Sequence, residues 1–129
     1  MWYEIFVRSF YDSDGDGIGD LNGVTEKLDY VKELGAEGIW LMPINPSPSY
    51  HGYDVTDYRA VNKDYGTMDD MKRLLAEAHK RGIKVIMDLV ANHSSTDHPW
   101  FIDSAKGKSS KYRDWYTWPR TKASRSPQR

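Results

Sequence analysis

The most unusual chemistry in the sequence is a run of carboxylates at alternate positions. Residues 12–20 read Asp-Ser-Asp-Gly-Asp-Gly-Ile-Gly-Asp, and the glycines allow the chain to curl so that the acids face one point. Carboxylates gathered in this way need a cation to offset their repulsion. Hard oxygen ligands on a flexible loop, with no His or Cys nearby, favour calcium over zinc or magnesium. The run therefore predicts a calcium site formed by Asp12, Asp14, Asp16 and Asp20.

Other structures can contain a similar run. An EF-hand is rejected because Gly23 stands where that motif has its bidentate Glu, and because a strand precedes the loop. A dinucleotide-binding loop would use the three glycines, but Asp14 and Asp16 would then face a pyrophosphate of the same charge. A solvated Asp-Gly turn without a ligand is the remaining alternative.

A second candidate site mixes aromatic rings with carboxylates. Residues 49–58 read Ser-Tyr-His-Gly-Tyr-Asp-Val-Thr-Asp-Tyr. Rings offer flat apolar faces and acids accept hydrogen bonds, a combination that suits the C–H faces and hydroxyl edges of sugars. The pattern alone is equally typical of a tyrosine-rich loop on the rim of a fold. A saccharide site and a structural loop are therefore both open.

A third candidate site begins with Asp88, which interrupts an apolar run. A carboxylate in a buried strand is costly to desolvate unless it is paired, so a cationic or hydrogen-bonding partner on another strand is expected. The sequence offers no clear candidate for that partner, and Asp88 is as suited to holding the core as to contacting a ligand. His93 follows, and without a neighbouring nucleophile pattern we favour a ligand-contacting or structural role over a catalytic one.

Three apolar and β-branched runs predict three strands that would position these sites. Residues 3–10 place Ile5 and Val7 on one face. Residues 38–42 form a continuous apolar run, typical of a strand covered on both faces, and residues 83–90 form a third.

Two amphipathic helices are predicted between these strands. The first is expected to begin after Asn22 as N-cap and to end at Gly35. The second is expected to begin with a capping box of Thr67 and Asp70 and to end at Gly82.

This alternation predicts an α/β fold with a parallel βαβαβ sheet and right-handed crossovers. Such a sheet belongs either to an open doubly wound domain or to a (β/α)8 barrel, and both carry their sites at the carboxyl ends of the strands. All three candidate sites follow predicted strands, so we expect them at one edge of the sheet.

Composition narrows the functional classes. The 129 residues suit one domain or a piece of a larger one, and the absence of Cys excludes disulfides, Cys-type zinc sites and thiol catalysis. We expect no signal peptide and no membrane span, and the compartment stays open.

The charge is divided unevenly along the chain. Residues 1–104 hold 10 Lys and Arg against 18 Asp and Glu, a net of −8, whereas residues 105–129 hold 8 against 1, a net of +7. Because no aromatic residue follows Trp118, a nucleic-acid-binding arm is disfavoured, and residues 119–129 are expected to be a disordered or non-native tail.

Together these motifs resemble the N-terminal part of an α-amylase-family glycoside hydrolase, a group of (β/α)8-barrel enzymes that act on α-glucosidic bonds. The resemblance covers residues 2 to about 118. Its markers are the aspartate run with Leu21, Trp40-Leu-Met-Pro-Ile-Asn45, His51-Gly-Tyr-Asp-Val55 with Asp57-Tyr58, and Asp88-Leu-Val-Ala-Asn-His93.

The resemblance implies roles for particular residues. The Ile18 carbonyl would join the four aspartates around Ca2+, and Asn92 ligates calcium in some members. Asp88 would pair with an arginine on a fourth strand. Tyr53 would stack on the sugar next to the scissile bond, and Asp54 and His93 would bind its hydroxyls. The substrate-binding set implied in this way is Tyr53, Asp54, His93 and His51.

Members of this family retain configuration with an aspartate nucleophile after strand four and a glutamate acid/base after strand five. Residues 1–118 are expected to supply only the first three strands of such a barrel. We therefore expect a fragment of a retaining α-glucoside hydrolase, with starch or maltooligosaccharides as substrates, that is inactive alone. The alternative is a non-catalytic, calcium-dependent carbohydrate-binding module.

Overall fold

Three short parallel strands form the sheet in the computed structural model, which describes residues 1–119. They are β1 (Trp2–Ile5), β2 (Gly38–Leu41) and β3 (Lys84–Met87), in the spatial order β1-β2-β3. Both pairings are parallel. The predicted parallel βαβαβ arrangement is confirmed.

Helices make the crossovers between the strands. They are α1 (Leu21–Glu26) and α2 (Leu28–Glu33) between β1 and β2, α3 (Met68–Lys80) between β2 and β3, and α4 (Pro99–Ala105) after β3. One 3-10 turn comes directly after β1, at Val7–Ser9, and another comes after α4, at Arg113–Trp115. No helix within residues 1–119 has both the length and the apolar character needed to cross a bilayer.

The described residues divide into two compact units, the first of residues 1–98 and the second beginning at Pro99. The sheet and all three candidate sites lie in the first. In the second, Trp118 Nε1 donates a hydrogen bond to Ser104 Oγ at 2.9 Å. The predicted basic tail, apart from Pro119, lies outside the described residues.

The first strand is shorter than predicted because the aspartate run returns against it. Val7 is buried as expected, but it lies in the 3-10 turn. Gly19 donates its backbone N–H to Arg8 O at 2.7 Å. A Cβ on Gly19 would lie 2.1 Å from the Val7 carbonyl oxygen, so only glycine permits this approach. Strand pairing consequently ends at Ile5.

The prediction that Asn22 caps the first helix is wrong. The N-cap is Asp20, whose Oδ1 accepts the Gly23 N–H at 2.6 Å, while Asn22 accepts a hydrogen bond from Arg73 of α3. The helix is also interrupted at Lys27, which separates α1 from α2.

The other predicted helix boundaries agree with the structure. Gly35 follows the last turn of α2 with a φ of +80°. Thr67 and Asp70 form both hydrogen bonds of the predicted capping box at the start of α3. The box is local in sequence, which is why its residues could be read directly from the pattern.

The core lies between one face of the sheet and the helices. Its most deeply buried side chains, each at most 1% exposed, include Ile5, Leu28, Ile39, Leu41, Leu74 and Ile83. Trp40 projects from the opposite face and is 37% exposed. The expectation that β2 is covered on both faces is therefore only half met, because three strands cannot curl into a closed barrel.

We predict that the chain associates with itself through β3. Ile86 is 49% exposed there, and an apolar strand at a sheet edge favours intermolecular pairing. Ile86→Lys should weaken the association about tenfold. Met68→Lys, a matched control at a 46% exposed position on α3, should not. Sedimentation velocity over a range of concentrations tests this, and equal behaviour of the two variants would contradict it.

Candidate functional site

The loops that follow β2 and β3 meet at the carboxyl edge of the sheet. Ser95 N donates to Val55 O at 2.9 Å, which joins the two loops through their backbones. The Tyr58 hydroxyl lies 2.8 Å from Val90 O and 2.7 Å from His93 O. The second and third candidate sites therefore form a single site, as expected from strand direction.

Asp88 has two hydrogen-bond partners within this chain. Trp40 Nε1 donates to Asp88 Oδ1 at 2.6 Å, and the Tyr53 hydroxyl donates to Asp88 Oδ2 at 2.5 Å. The conclusion that the sequence offers no clear partner was wrong. An indole N–H and a phenol are neutral donors, and neither stands out when a cation is sought. The arginine on a fourth strand stays a prediction.

The contact with Asp88 fixes the protonation state of Tyr53. Its hydrogen bond to the carboxylate, burial and the negative charge of Asp88 together raise the pKa of Tyr53 to about 12. Each of these factors favours the neutral phenol over the phenolate. Tyr53 is therefore a donor in the neutral pH range.

Two histidines flank Tyr53. The His51 ring stacks against the Tyr53 ring, with centroids 6.1 Å apart and planes 26° apart. His93 Nε2 lies 2.9 Å from Tyr53 O, and because a carbonyl oxygen only accepts, Nε2 carries the hydrogen. His93 Nδ1 then accepts from Asn92 Nδ2, 3.3 Å away. The structure thus brings together three of the four predicted sugar-binding residues.

Asp54, the fourth, is held by two serines that sequence analysis did not single out. Ser47 Oγ donates to Asp54 Oδ1 at 2.5 Å, and Ser49 Oγ donates to the same oxygen. Burial opposes ionisation, but these hydrogen bonds outweigh it and lower the pKa of Asp54. The sequence feature that could have identified these serines is a pair of hydroxyl residues five and seven positions before a carboxylate.

The aspartate run wraps around the carboxylate of Asp12. Asp12 Oδ1 accepts from Gly15 N at 2.7 Å, and Oδ2 accepts from Gly17 N at 2.8 Å. The backbone N–H of Gly17 is the foremost cause that lowers the pKa of Asp12. Asp12 is therefore ionised and points into the loop.

Three of the four predicted aspartate ligands converge. Asp12, Asp14 and Asp20 place one carboxylate oxygen each within 4.8 Å of one another. Asp16 is not in this group, and its Oδ1 accepts from Ile18 N at 2.8 Å. Only oxygen donors are present, as calcium prefers.

Repulsion between carboxylates in the loop is expressed at Asp14. The Asp16 N–H favours ionised Asp14, but burial, the Asp12 side chain and the charges of Asp12 and Asp16 outweigh it and raise the pKa of Asp14. Asp20 is 6% exposed and accepts from both Gly23 N and Ser13 N. Mutual repulsion in the loop is therefore seen at Asp14, whereas Asp20 is held by backbone N–H groups.

Comparison with curated proteins finds close relatives. The family model of the alpha-amylase catalytic domain matches residues 4–129. The chain is 58% identical over 118 residues to Alpha-amylase 3 of Dictyoglomus thermophilum, covering 92% of this chain and 24% of the relative. It is 55% identical over 126 residues to Oligo-1,6-glucosidase of Parageobacillus thermoglucosidasius, covering 97% and 22%.

Comparison with solved structures agrees. The alpha-amylase from H. orenii matches with a TM-score of 0.90 and 61% identity, over 92% of this chain and 26% of that one. The trehalose-6-phosphate hydrolase of Bacillus licheniformis matches with a TM-score of 0.91 and 54% identity, over 95% and 22%. The chain spans about a quarter of the length of these proteins.

We predict that Asp88→Asn returns the pKa of Tyr53 from about 12 toward 10.0, because the charge that stabilises the phenol is removed. Since the folded pKa lies above the unfolded one, the stabilisation is complete below pH 10.0 and is lost as the pH rises through about 12. The difference in tyrosinate absorbance between each protein and its Tyr53→Phe variant measures this. Asp57→Asn, in the same loop, should leave the titration unchanged. An unchanged pKa of Tyr53 in Asp88→Asn would contradict the role of Asp88 in raising it.

Proposed function

The chain belongs to the alpha-amylase family, and from this premise we propose that it forms the saccharide- and cation-binding part of a retaining α-glucoside hydrolase. Its sheet is a three-stranded part of that family's (β/α)8 barrel. The observation that carries the proposal is the rim at the ends of β2 and β3, where Tyr53 contacts His51, Asp88 and His93 at once.

The rim residues suit one sugar ring. Tyr53 offers a flat apolar surface whose orientation is set by its hydrogen bond to Asp88. The carboxylate of Asp54 can accept hydrogen bonds from sugar hydroxyls, and the exposed imidazole of His93, whose Nε2–H is donated to Tyr53 O, can contact the sugar beside Tyr53. Relatives named alpha-amylase and oligo-1,6-glucosidase support α-glucans or maltooligosaccharides as the ligand.

Binding and bond cleavage are divided along the family's barrel. By the resemblance, the nucleophile and the acid/base follow strands four and five, whereas the described residues contain three strands. We therefore propose that these 129 residues bind the saccharide without hydrolysing it. The alternative, a non-catalytic calcium-dependent carbohydrate-binding module, would use the same Tyr53, Asp54 and His93.

The aspartate run fits calcium. Its donors are carboxylate oxygens, with Asp12, Asp14 and Asp20 already grouped, and the raised pKa of Asp14 reflects the crowding that a cation relieves. We propose that Asp16 and the Ile18 carbonyl complete the site. Asp20 also caps α1, so the ion when bound would link the loop to that helix.

We predict that calcium raises the melting temperature of the chain. At free calcium about 100 times the dissociation constant, the stabilisation is about 2.7 kcal/mol. Asp14→Asn should reduce the rise, because a ligand charge is removed. Asp69→Asn, at a position where the side chain is 95% exposed on α3, should not. Scanning calorimetry with calcium and with chelator measures this, and identical melting in both would refute the site.

We also predict saturable maltotriose binding with no detectable turnover. Tyr53→Ala should weaken binding roughly three- to tenfold through the loss of the stacking ring. Tyr30→Ala, a 49% exposed tyrosine on α2, is the matched control. Isothermal titration and chromatography of the sugar give the two readouts. Turnover above a mock preparation would contradict the division between binding and cleavage, and the absence of binding would contradict the saccharide site.

A further inference from the structure

We propose that Tyr58 is a positioning residue whose hydroxyl holds the turn of residues 90–93 and thereby places the imidazole of His93. The proposal deepens the proposed function, because it rests on His93 facing the saccharide. In this proposal Tyr58 does not itself bind the sugar. Its effect is transmitted through the backbone of the neighbouring loop.

The turn needs a hydrogen-bond donor from outside. Residues 88–94 form neither helix nor strand, and within them Leu89 O accepts from Ala91 N at 2.9 Å. Val90 is 8% exposed, and a buried carbonyl without a partner is strongly unfavourable. The Tyr58 hydroxyl lies 2.8 Å from Val90 O and 2.7 Å from His93 O, so one hydrogen is shared by two acceptors at either end of the turn.

Tyr58 is itself firmly held. Asn45, which is 8% exposed, donates through Nδ2 to Tyr58 O at 3.3 Å and to Ala60 O at 3.0 Å. The Tyr58 ring lies beside the His98 ring, with centroids 5.7 Å apart. Both the backbone and the ring of Tyr58 are therefore fixed, and the hydroxyl is a donor at a defined point.

His93 depends on this donor because its side chain is exposed. Its imidazole is held through Nε2 to Tyr53 O at 2.9 Å, and its own carbonyl is held by Tyr58 at 2.7 Å. The two tyrosines thus fix the two ends of one residue. A histidine placed before the sugar arrives avoids the ordering cost that a mobile one adds to binding.

The decisive variant is Tyr58→Phe, which removes one oxygen and keeps the ring. We expect the ¹⁵N imidazole resonances of His93 to move toward a mixture of tautomers, because the contact of Nε2 with Tyr53 O loosens. The resonances of His51 and His79 should stay unchanged, which a general loss of stability would not produce. Tyr30→Phe makes the same chemical change on α2 and should move none of them. Unchanged His93 resonances in folded Tyr58→Phe would overturn the proposal.

Maltotriose binding gives an independent readout. Tyr58→Phe should weaken it roughly three- to tenfold, the range expected for one hydrogen bond. In a chain that carries His93→Ala, the same change should have no further effect, because Tyr58 acts through His93. An equal loss in both backgrounds would overturn the proposal. If the unaltered chain binds no maltotriose, the proposed function fails, while the His93 resonances still decide the role of Tyr58.

If Tyr58→Phe does not fold, the unaltered chain provides the test. The contacts of the Tyr58 hydroxyl with Val90 O and His93 O place its ring beside residues 90–93. We expect Overhauser effects from the Tyr58 ring protons to Val90 and His93. Their absence in the folded chain would overturn the proposal.

Discussion

The carboxylate of Asp88, directly after β3, accepts two hydrogen bonds, and these contacts organise the rim. Asp88 accepts one hydrogen bond from Trp40 on the neighbouring strand β2 and one from Tyr53 in the loop after β2. The second hydrogen bond fixes the ring of Tyr53, and the backbone carbonyl of Tyr53 accepts a hydrogen bond from His93 Nε2. One carboxylate therefore connects residues from both loops through hydrogen bonds.

A carboxylate of the aspartate run is held by donors in a similar way. Asp20 is buried because its two oxygens accept backbone N–H groups, one from Gly23 at the start of α1 and one from Ser13 in the loop. Asp20 is both the last residue of the aspartate run and the N-cap of α1. A carboxylate that has both tasks constrains the loop more tightly than a helix cap alone, because the loop must return to the same residue.

What the sequence could predict depended on the range of the interactions. The residues of the capping box, Thr67 and Asp70, are three positions apart, and the box was predicted correctly. The parallel sheet was also predicted correctly, because strand and helix patterns alternate along the chain. The choice of Asp20 over Asn22 was missed because it depends on the return of the loop. The contact between Trp40 and Asp88 joins residues 48 positions apart, and no local pattern reveals it. Motif resemblance found the residues of the rim but not the bonds that join them.

The two donors found on Asp88 are compatible with the arginine that the resemblance implies. A carboxylate has about four lone-pair positions, and Trp40 and Tyr53 use one on each oxygen. One position on each oxygen is left, which is the pattern that a guanidinium fork occupies in a bidentate pair. The neutral donors orient the carboxylate without neutralising it, so its full charge stays available for a cation. The bonds within these 119 residues and a later pairing across the barrel therefore add to one another rather than compete.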